Sequence, residues 1–490
     1  MRRKYQVGLF LLFFLILGFH LYVSFSHGSL TYGSYGDVRQ VESILENGLP
    51  FFTDPNVVGE PVFSFTPLYH YIIAFFSLFL ETELVLKVLP SIFVSSTSII
   101  AGYVSFEATG DEVASLISGF LAGTTPALVV YTSNSSSVLS LLIPVFLLFI
   151  YFFIQLNRKT YYLKYLIVLI VFLTFLHPWS IFLALSLIAY YLIVSAQNLR
   201  IGKREPEIIT FFFFFVTWLT LVMNRRALEM HSMNVLVGNL PTPHFDSLYP
   251  FFDLQLFIDG VGFISLILGL IGSYLYFVES KNKTVTLLVS ASLFITVLMI
   301  TRLIDVRFGF SYIGVLVSVL SAYVIRDFRN QLSSYRYRFA ETIFISAVIL
   351  LALFFTIPTV MNSFEMASNG PNEEDVKSYE WSSMNIDDAT FMTLPDEANA
   401  FIHHSNHSVV MNDVYVGRHS EQRIEDIQEA FNERFETDLV RVTDDYGVTH
   451  ILVSEYNNMS GLRVGDGCFN LVYNQTANIY DVTCDGRVAR

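Results

Sequence analysis

Charged and imidazole side chains in this chain gather at the ends of apolar runs. The five that stand out are Asp37, Arg39, His177, Arg302 and Arg307. Charges are costly inside a bilayer and are kept where a pathway or a site needs them. A carboxylate can take a proton, an imidazole can transfer one, and guanidinium groups pair with phosphate. Brought together, these side chains would surround an anionic lipid headgroup.

Each of these residues also has an interpretation that involves no chemistry. Asp37 ends a Gly-Ser-Tyr-Gly-Asp segment, which is typical of a turn. His177 is followed by proline and tryptophan, and a turn with an aromatic interface anchor is the favoured interpretation. Asp305 would neutralise a neighbouring arginine in a modest surface ion pair. Arg307 precedes Phe308 at the mouth of an apolar run, where a guanidinium can hold phosphate through two parallel hydrogen bonds.

The secondary candidates are polar residues of the same loops and turns. They are Arg39, Asp54, Glu60, His70 and His177. For Asp54 and Glu60 a solvated surface position is favoured, because charged loop residues are usually hydrated. His70 lies between two tyrosines in a short apolar run.

The chain has two cysteines, Cys468 and Cys484, on either side of a predicted β-hairpin. They would form a disulfide in an extracytoplasmic domain. Two reduced, buried cysteines fit the sequence about equally well, because the sequence gives no Cα separation. The chain contains no CxxC or HExxH motif, so cysteine and histidine spacing indicates no metal site.

The elements that must position these residues are mostly membrane helices. With 53% hydrophobic and 15% charged residues and a mean hydropathy of +0.52, the 490-residue chain is too apolar for an ordinary soluble domain. Apolar runs near the roughly 20 residues that cross the hydrocarbon core predict about eleven transmembrane helices. These runs are residues 8–25, 83–105, 113–131, 137–154, 161–176, 179–196, 208–223, 254–278, 284–300, 308–325 and 339–359.

A shorter apolar run, residues 67–80, decides the orientation of every later span. We predict an interfacial or re-entrant helix that does not cross, because only then do the basic loops all lie inside, and a length well below that of a membrane span favours the same interpretation. The N-terminus and the basic loops then all lie inside, as the positive-inside rule requires. These loops are residues 158–164, 200–204, 281–283 and 326–338. The long first loop, residues 26–82, and the C-terminal tail lie on the outer face.

The tail, residues 361–490, differs in composition from the rest of the chain. It holds 23 Asp and Glu against 8 Lys and Arg, and it accounts for the net charge of −14. Such a surface argues against a nucleic acid partner and fits a solvated domain. The pattern predicts strands at 390–394, 409–416, 449–453 and 471–482 and a helix at 420–435. The predicted fold is a polytopic α-helical membrane domain, residues 1–360, followed by an acidic extracytoplasmic α/β domain, residues 361–490.

The first outer loop carries an early acid, Asp37, and three further motifs. They are Glu46-Asn47-Gly48-Leu49-Pro50-Phe51-Phe52-Thr53-Asp54-Pro55, Gly59-Glu60-Pro61 and Thr66-Pro67-Leu68-Tyr69-His70-Tyr71. In this order they resemble the membrane glycosyltransferases of the C superfamily (GT-C), which include archaeal oligosaccharyltransferase catalytic subunits and polyprenyl-phosphate-sugar transferases. The pair Arg307-Phe308 is similar to the lipid-phosphate contact of that family.

The resemblance implies transfer of a sugar from a polyprenyl-phosphate donor, of the dolichol type in an archaeal cell envelope. The acceptor would be a glycan, a lipid or a protein at the outer face. Asp37 would be the general base or a ligand of a divalent cation, Mg²⁺ or Mn²⁺. Arg307, helped by Arg302, would hold the donor phosphate.

Two departures from the family limit the implied reaction. The second outer turn, residues 131–136, has no paired acids where an oligosaccharyltransferase has a DxD-like element, and the tail lacks a WWDYG-type motif. Both favour transfer of a single sugar. A divergent oligosaccharyltransferase that transfers a lipid-linked glycan to asparagine is an alternative hypothesis. A non-catalytic transporter or lipid-handling membrane protein is another, although the ionisable groups crowd one face rather than the midplane.

Overall fold

A computed structural model describes residues 3–59, 67–156, 158–232, 234, 240, 245–246, 248–334, 339–413, 419–432, 436–454, 467–475 and 477–484. Glu60, a secondary candidate, lies outside the described residues.

The described helices of the membrane part follow one another along the chain. They are α1 (Arg3–Phe25), α2 (Tyr35–Asn47), α3 (Leu68–Ser77), α4 (Thr82–Thr109), α5 (Glu112–Gly123), α6 (Pro126–Thr132), α7 (Leu139–Leu156), α8 (Tyr162–Leu176), α9 (Ser180–Ala196), α10 (Glu205–Met223), α11 (Arg225–His231), α12 (Leu254–Val261), α13 (Phe263–Ser273), α14 (Lys283–Ile300), α15 (Val306–Ser334) and α16 (Phe339–Ala367). A 3₁₀ turn, Tyr32–Ser34, leads into α2, and a π-helical segment, Tyr274–Glu279, continues α13.

Helices occupy all eleven predicted membrane runs, although not every run is one long helix. Among the described residues, seven helices are long and apolar enough to cross a membrane, or up to nine if each of two bent pairs is one span. The pairs are α5 with α6, bent by 44°, and α12 with α13, bent by 95°. Gly262 forms the second bend with a φ of +96°, which glycine adopts readily. The remaining two runs form α8 and α9, of 15 and 17 residues.

The predicted non-crossing run 67–80 contains the 10-residue helix α3. At 1.5 Å per residue it is about 15 Å long, half the roughly 30 Å of a hydrocarbon core. Its length therefore fits the orientation inferred from the basic loops.

Helix α15 is the centre of the membrane part, since its residues 308–325 are all buried. The most apolar stretches of α1 and α16 are only 28% and 17% buried, so these helices lie at the rim. Small residues allow close packing around α15. A Cβ on Gly269 of α13 would lie 2.7 Å from the Val317 carbonyl oxygen, and the Ser118 hydroxyl of α5 donates to the Ser318 carbonyl. Membrane helices commonly pack through such small residues.

The C-terminal part is an α/β unit with a five-stranded sheet among its described residues. Its helices are α17 (Glu373–Asn385), α18 (Pro395–Ser405), α19 (Ser420–Asn432) and α20 (Glu436–Tyr446), and its strands are β1 (Thr390–Met392), β2 (Ser408–Val409), β3 (His450–Val453), β4 (Phe469–Asn474) and β5 (Asn478–Val482). The strand order is β2-β1-β3-β5-β4. Strand β1 is parallel to β2 and β3, whereas β5 is antiparallel to β3 and β4. A disulfide joins Cys468 to Cys484 beside the β4–β5 hairpin, with a Cα separation of 4.8 Å.

The first loop extends this sheet. Val57 forms a parallel bridge with Val409 of edge strand β2. The Val58 N–H donates to the Val409 carbonyl at 2.9 Å, and the Val409 N–H donates to the Asn56 carbonyl at 2.8 Å. Backbone pairing therefore ties the C-terminal sheet to the loop that carries Asp37.

Several elements differ from the pattern-based prediction. Helix α16 continues to Ala367, beyond the predicted domain boundary at residue 360, and the connector to α17 is residues 368–372. Helices α17, α18 and α20 were not predicted. Most residues of α18 are buried, so it lacks the regular polar face that marks a surface helix. The last part of the predicted strand 409–416 lies outside the described residues.

Candidate active site

Asp37 lies in the first turn of α2 and pairs with a histidine of α3. The Asp37 Oδ1 atom is 2.7 Å from His70 Nε2. The Asp37 side chain is 28% exposed, and that of His70 is 12% exposed. A carboxylate near a helix N-terminus is favoured by the helix dipole. The pair therefore presents a held but accessible carboxylate.

Arg39, two residues further along α2, is buried in a network of polar side chains. Its two terminal nitrogens donate to the two Asp54 oxygens at 2.7 and 2.8 Å, and Nη1 also donates to Asn399 Oδ1 at 2.7 Å. Asn412 donates to the same Asp54 carboxylate at 3.1 Å. The structure thus makes Asp54 a buried ion-pair partner rather than a solvated surface acid. Arg39 joins the first loop to the C-terminal part.

A second carboxylate near Asp37 comes from the C-terminal part. Asp413 accepts a hydrogen bond from Asn399 Nδ2 at 2.5 Å. Burial, together with the negative charges of Asp396 and Asp37, raises the pKa of Asp413 to about 7. The second outer turn supplies no acid, as the sequence indicated, but the tail brings one to the same region.

The second outer turn instead connects the surrounding segments. Asn134 donates through Nδ2 to the carbonyls of Ser29 and Ala367, at 3.0 and 2.9 Å. The Ser136 N–H donates to the Ser34 hydroxyl, just before α2, at 2.9 Å. These polar groups hold the first loop against the end of α16.

Arg307 lies in the first turn of α15, and among the described residues its side-chain hydrogen bonds go to Asp305. The closest Nη2–Oδ2 distance is 2.5 Å. Asp305 is buried, whereas 40% of the Arg307 side chain is exposed. Phe308 is fully buried against Trp179, with a centroid distance of 5.0 Å. The guanidinium is therefore held in place by Asp305, and part of it stays exposed.

Arg302 is engaged by the loop that precedes α12. It donates through Nε to the Tyr249 carbonyl at 2.6 Å and through Nη2 to Asp246. Its guanidinium also lies over the rings of Phe245 and Phe251, at 4.6 and 4.3 Å. These contacts make Arg302 an anchor for the loop.

His177 stabilises the turn between α8 and α9. Its Nδ1 accepts a hydrogen bond from the Trp179 N–H at 3.2 Å, and the two rings are 4.5 Å apart. This geometry corresponds to the turn interpretation, which placed no chemistry at His177.

A separate group of possible metal ligands lies at the C-terminal end of α18, beyond Asn399. Among the described residues it comprises Glu83, His403 and His404, with ligand atoms within 4.8 Å of one another. Asp37 does not belong to this group. These three residues were not predicted from the sequence, and neither were Asn399 and Asp413. The adjacent histidines were the one sign of a metal site in the sequence. Glu83 lies hundreds of residues before them, and Asn399 and Asp413 lie hundreds of residues after α2, so their contacts leave no local pattern.

No protein-family model matches the chain, and no curated protein matches it by sequence. The fold is similar to the apo oligosaccharyltransferase of Archaeoglobus fulgidus, with a TM-score of 0.70 and 12% identity over 90% of this chain and 69% of that one. The archaeal oligosaccharyltransferase AglB from the same organism, in complex with an inhibitory peptide and a dolichol-phosphate, gives 0.66 and 12% over the same shares. The oligosaccharyltransferase of the apo structure is also known in complex with Zn and sulfate.

ArnT from Cupriavidus metallidurans, bound to undecaprenyl phosphate, has the same architecture at a TM-score of 0.55. Its identity to this chain is 10%, over 96% of this chain and 98% of that one. At such identities the likeness establishes the fold alone. It confirms the predicted architecture and, at the level of fold, the resemblance noted in the first loop.

Proposed function

We propose that this chain is a membrane glycosyltransferase that transfers a sugar from a polyprenyl-phosphate donor to an acceptor. The observation that carries the proposal is the Asp37–His70 pair, a partly exposed carboxylate held at 2.7 Å within this fold. The complexes of the similar proteins with dolichol-phosphate and undecaprenyl phosphate support the donor class. A dolichol-type carrier, an archaeal cell envelope and an extracytoplasmic position of the C-terminal domain are parts of the proposal.

Asp37 acts as the general base. As the acceptor oxygen forms its bond to the anomeric carbon, its proton passes to the Asp37 carboxylate. The bond from the anomeric carbon to the phosphate oxygen breaks, and its electron pair leaves with the phosphate. His70 holds the carboxylate in one orientation, so the oxygen that takes the proton is preorganised.

Arg307 receives the departing phosphate. Asp305 fixes the guanidinium, and its exposed edge can donate to a phosphate oxygen as negative charge develops there. Arg302 positions the neighbouring loop through Tyr249 and Asp246, and its help in holding the donor phosphate stays a prediction.

A divalent cation, Mg²⁺ or Mn²⁺, would add positive charge at the phosphate if Asp37 bound one. The described residues give Asp37 one imidazole partner and do not include it in a group of three possible ligands. Glu60 of the same loop lies outside the described residues, so a cation at Asp37 stays a prediction. The proton transfer and the phosphate contact proposed here do not depend on it.

The proposal predicts that Asp37→Asn lowers turnover about 100-fold or more, since a positioned general base contributes roughly 10²–10⁴-fold. The measurement is the release of sugar from a panel of dolichyl-phosphate-linked sugars in membranes that contain the full chain. Glu46→Gln is the matched control, because Glu46 is an exposed carboxylate of the same helix. An Asp37→Asn rate equal to wild type would remove the catalytic role.

The fold similarity to an oligosaccharyltransferase favours a second candidate, transfer of a lipid-linked glycan to asparagine. The two candidates differ in acceptor. Incubation with a lipid-linked oligosaccharide and a sequon peptide yields a glycopeptide only in the second. Binding of a sugar-lipid by a purified, folded preparation without any turnover would instead indicate a lipid-handling protein.

A further inference from the structure

Two parts of the chain meet at a cluster of histidine and glutamate side chains. Glu83 lies in the first turn of α4, at the start of a membrane helix. His403 and His404 lie in the last turn of α18, in the C-terminal part. One ligand atom from each of the three lies within 4.8 Å of the others, and all three side chains are half-buried. The cluster is distinct from the Asp37–His70 pair.

The orientation of His403 suits a metal ligand. Its Nδ1 is 3.2 Å from Glu42 Oε2, and its Nε2 is 3.7 Å from Glu83 Oε1. Histidines that bind metals usually donate one ring N–H to a carboxylate, which directs the other nitrogen to the ion. Glu42 is in the position of that outer carboxylate, and Glu83 is in the position of a neighbouring ligand.

His404 supplies an independent observation. Its Nε2 atom is buried and makes no hydrogen bond within the part of the chain that the structure describes. Buried polar atoms normally have a partner, so a buried imidazole nitrogen without one requires an explanation. A cation bound between His404, His403 and Glu83 would give it that partner.

We propose that Glu83, His403 and His404 bind one zinc ion. Two imidazoles and a carboxylate are ligands typical of Zn²⁺, whereas Mg²⁺ and Ca²⁺ prefer oxygen ligands. With bonds of about 2.0–2.1 Å, tetrahedral ligand atoms lie about 3.3 Å apart, so the side chains need to close only slightly. A cavity of about 600 Å³, lined in part by Glu83 and His404, leaves room for water as the fourth ligand.

The ion would fasten the C-terminal part to the membrane part. Glu83 belongs to α4, the two histidines belong to α18, and the outer carboxylate Glu42 belongs to α2, five residues after Asp37. The same α18 carries Asn399, which bonds Arg39. The zinc therefore positions the helix of the proposed base without touching the reacting groups. Its presence can be tested whether or not the proposed glycosyl transfer is correct.

The test uses the full chain, purified in detergent with a tag that contains no histidine. After treatment with a chelator, Zn²⁺ alone is added and the excess is removed, and bound zinc is measured by elemental mass spectrometry. We expect one equivalent per wild-type chain, and a loss of that equivalent in His404→Gln and Glu83→Gln. His419→Gln, which removes an exposed histidine of the same part, should retain it.

X-ray absorption of the zinc-loaded wild-type chain gives a second measurement that needs no variant to fold. Two imidazole ligands and oxygen ligands at four-coordinate distances would support the site. Absence of stoichiometric zinc in the wild type would overturn the proposal. So would equal zinc in folded variants and wild type, or a spectrum without imidazole ligands, because each indicates an adventitious ion only.

Discussion

At the scale of single residues, the buried ion pair between Arg39 and Asp54 gives Arg39 a structural role rather than a role in binding a headgroup. Arg39 was a candidate for headgroup binding, yet its side chain is 7% exposed and its guanidinium is held by Asp54 and Asn399. Removing one partner of a buried pair leaves the other charge uncompensated, which costs about 3–5 kcal/mol. Arg39→Gln should therefore destabilise the contact between the first loop and the C-terminal part.

The measurement for Arg39→Gln is the thermal unfolding midpoint in detergent, with limited proteolysis at the connector 368–372. Arg225→Gln is the control, because Arg225 is 78% exposed in its helical pair with Glu229. Exposed pairs contribute about 0–1 kcal/mol, so its midpoint should stay close to wild type. Equal midpoints for the two variants would contradict the role of Arg39.

Glu397 predicts a pH dependence of stability. It is fully buried, and Tyr379 and Ser454 donate to it at 2.5 and 2.9 Å. Burial raises its pKa from 4.5 to about 7. Between these values the folded state holds a proton that the unfolded state has lost, so stability falls as pH rises from about 4.5 to about 7.

Glu397→Gln removes this proton uptake. The difference in unfolding midpoint, variant minus wild type, should rise between pH 5 and pH 7 and then level off. Taking the difference cancels the contribution of other titrating groups, including Asp413. A difference that stays constant across this range would contradict a raised pKa for Glu397.

The candidate residues that the sequence identified lie near the ends of membrane spans. Charged residues there are easy to recognise because they interrupt or flank long apolar runs. Asp37 was found in this way, and its partner His70 was already a secondary candidate. Asn399 and Asp413 could not be found, since they approach α2 from about 360 residues further along the chain. Local patterns carry no information about which distant segment docks where.

At the scale of elements, hydrophobic length predicted the membrane helices well, because each helix must satisfy its own backbone in lipid. The bend at Gly262 was not visible, since the apolar run continues through it. Helix α18 was missed because it is buried on several sides between the sheet and α2. Packing of these elements, rather than local pattern, determines where the site lies.

The close contact of α13 with α15 gives an element-scale prediction. A Cβ at Gly269 would lie 2.7 Å from both Cβ and O of Val317, which are atoms that cannot easily move aside. Gly269→Ala should push α13 away from α15, the helix whose first turn carries Arg307, at a cost of about 1–3 kcal/mol. The measurement is the thermal midpoint together with glycosyl-transfer activity.

Gly18→Ala is the matched control for this packing argument. A Cβ at Gly18 of α1 would meet no atom within 4 Å, so alanine should be neutral or slightly stabilising through its higher helix propensity. If both alanine variants behave alike, close packing at Gly269 is not a determinant of the fold.

At the scale of the whole molecule, residues of the basic loops predicted to lie inside and the C-terminal part lie at opposite ends of the helix bundle. At one end Arg329 of α15 pairs with Asp111 and Glu341, at 2.6 and 2.5 Å, and Lys283 pairs with Glu205 at 2.5 Å. At the other end Ser29, after α1, donates to the Pro371 carbonyl beside the C-terminal part. This division is the one that the positive-inside rule requires of a chain with its N-terminus inside.

The orientation predicts which surface meets the outside of a cell. In a chain with Cys468→Ser and Cys484→Ser, a cysteine at exposed Asp388 should react with a membrane-impermeant maleimide in intact cells. A cysteine at exposed Lys203, on the basic end, should react only after the membrane is opened. The retained transfer activity of each variant serves as the folding control. Labelling of Lys203→Cys but not Asp388→Cys in intact cells would invert the orientation, and it would place the proposed donor site on the cytoplasmic face.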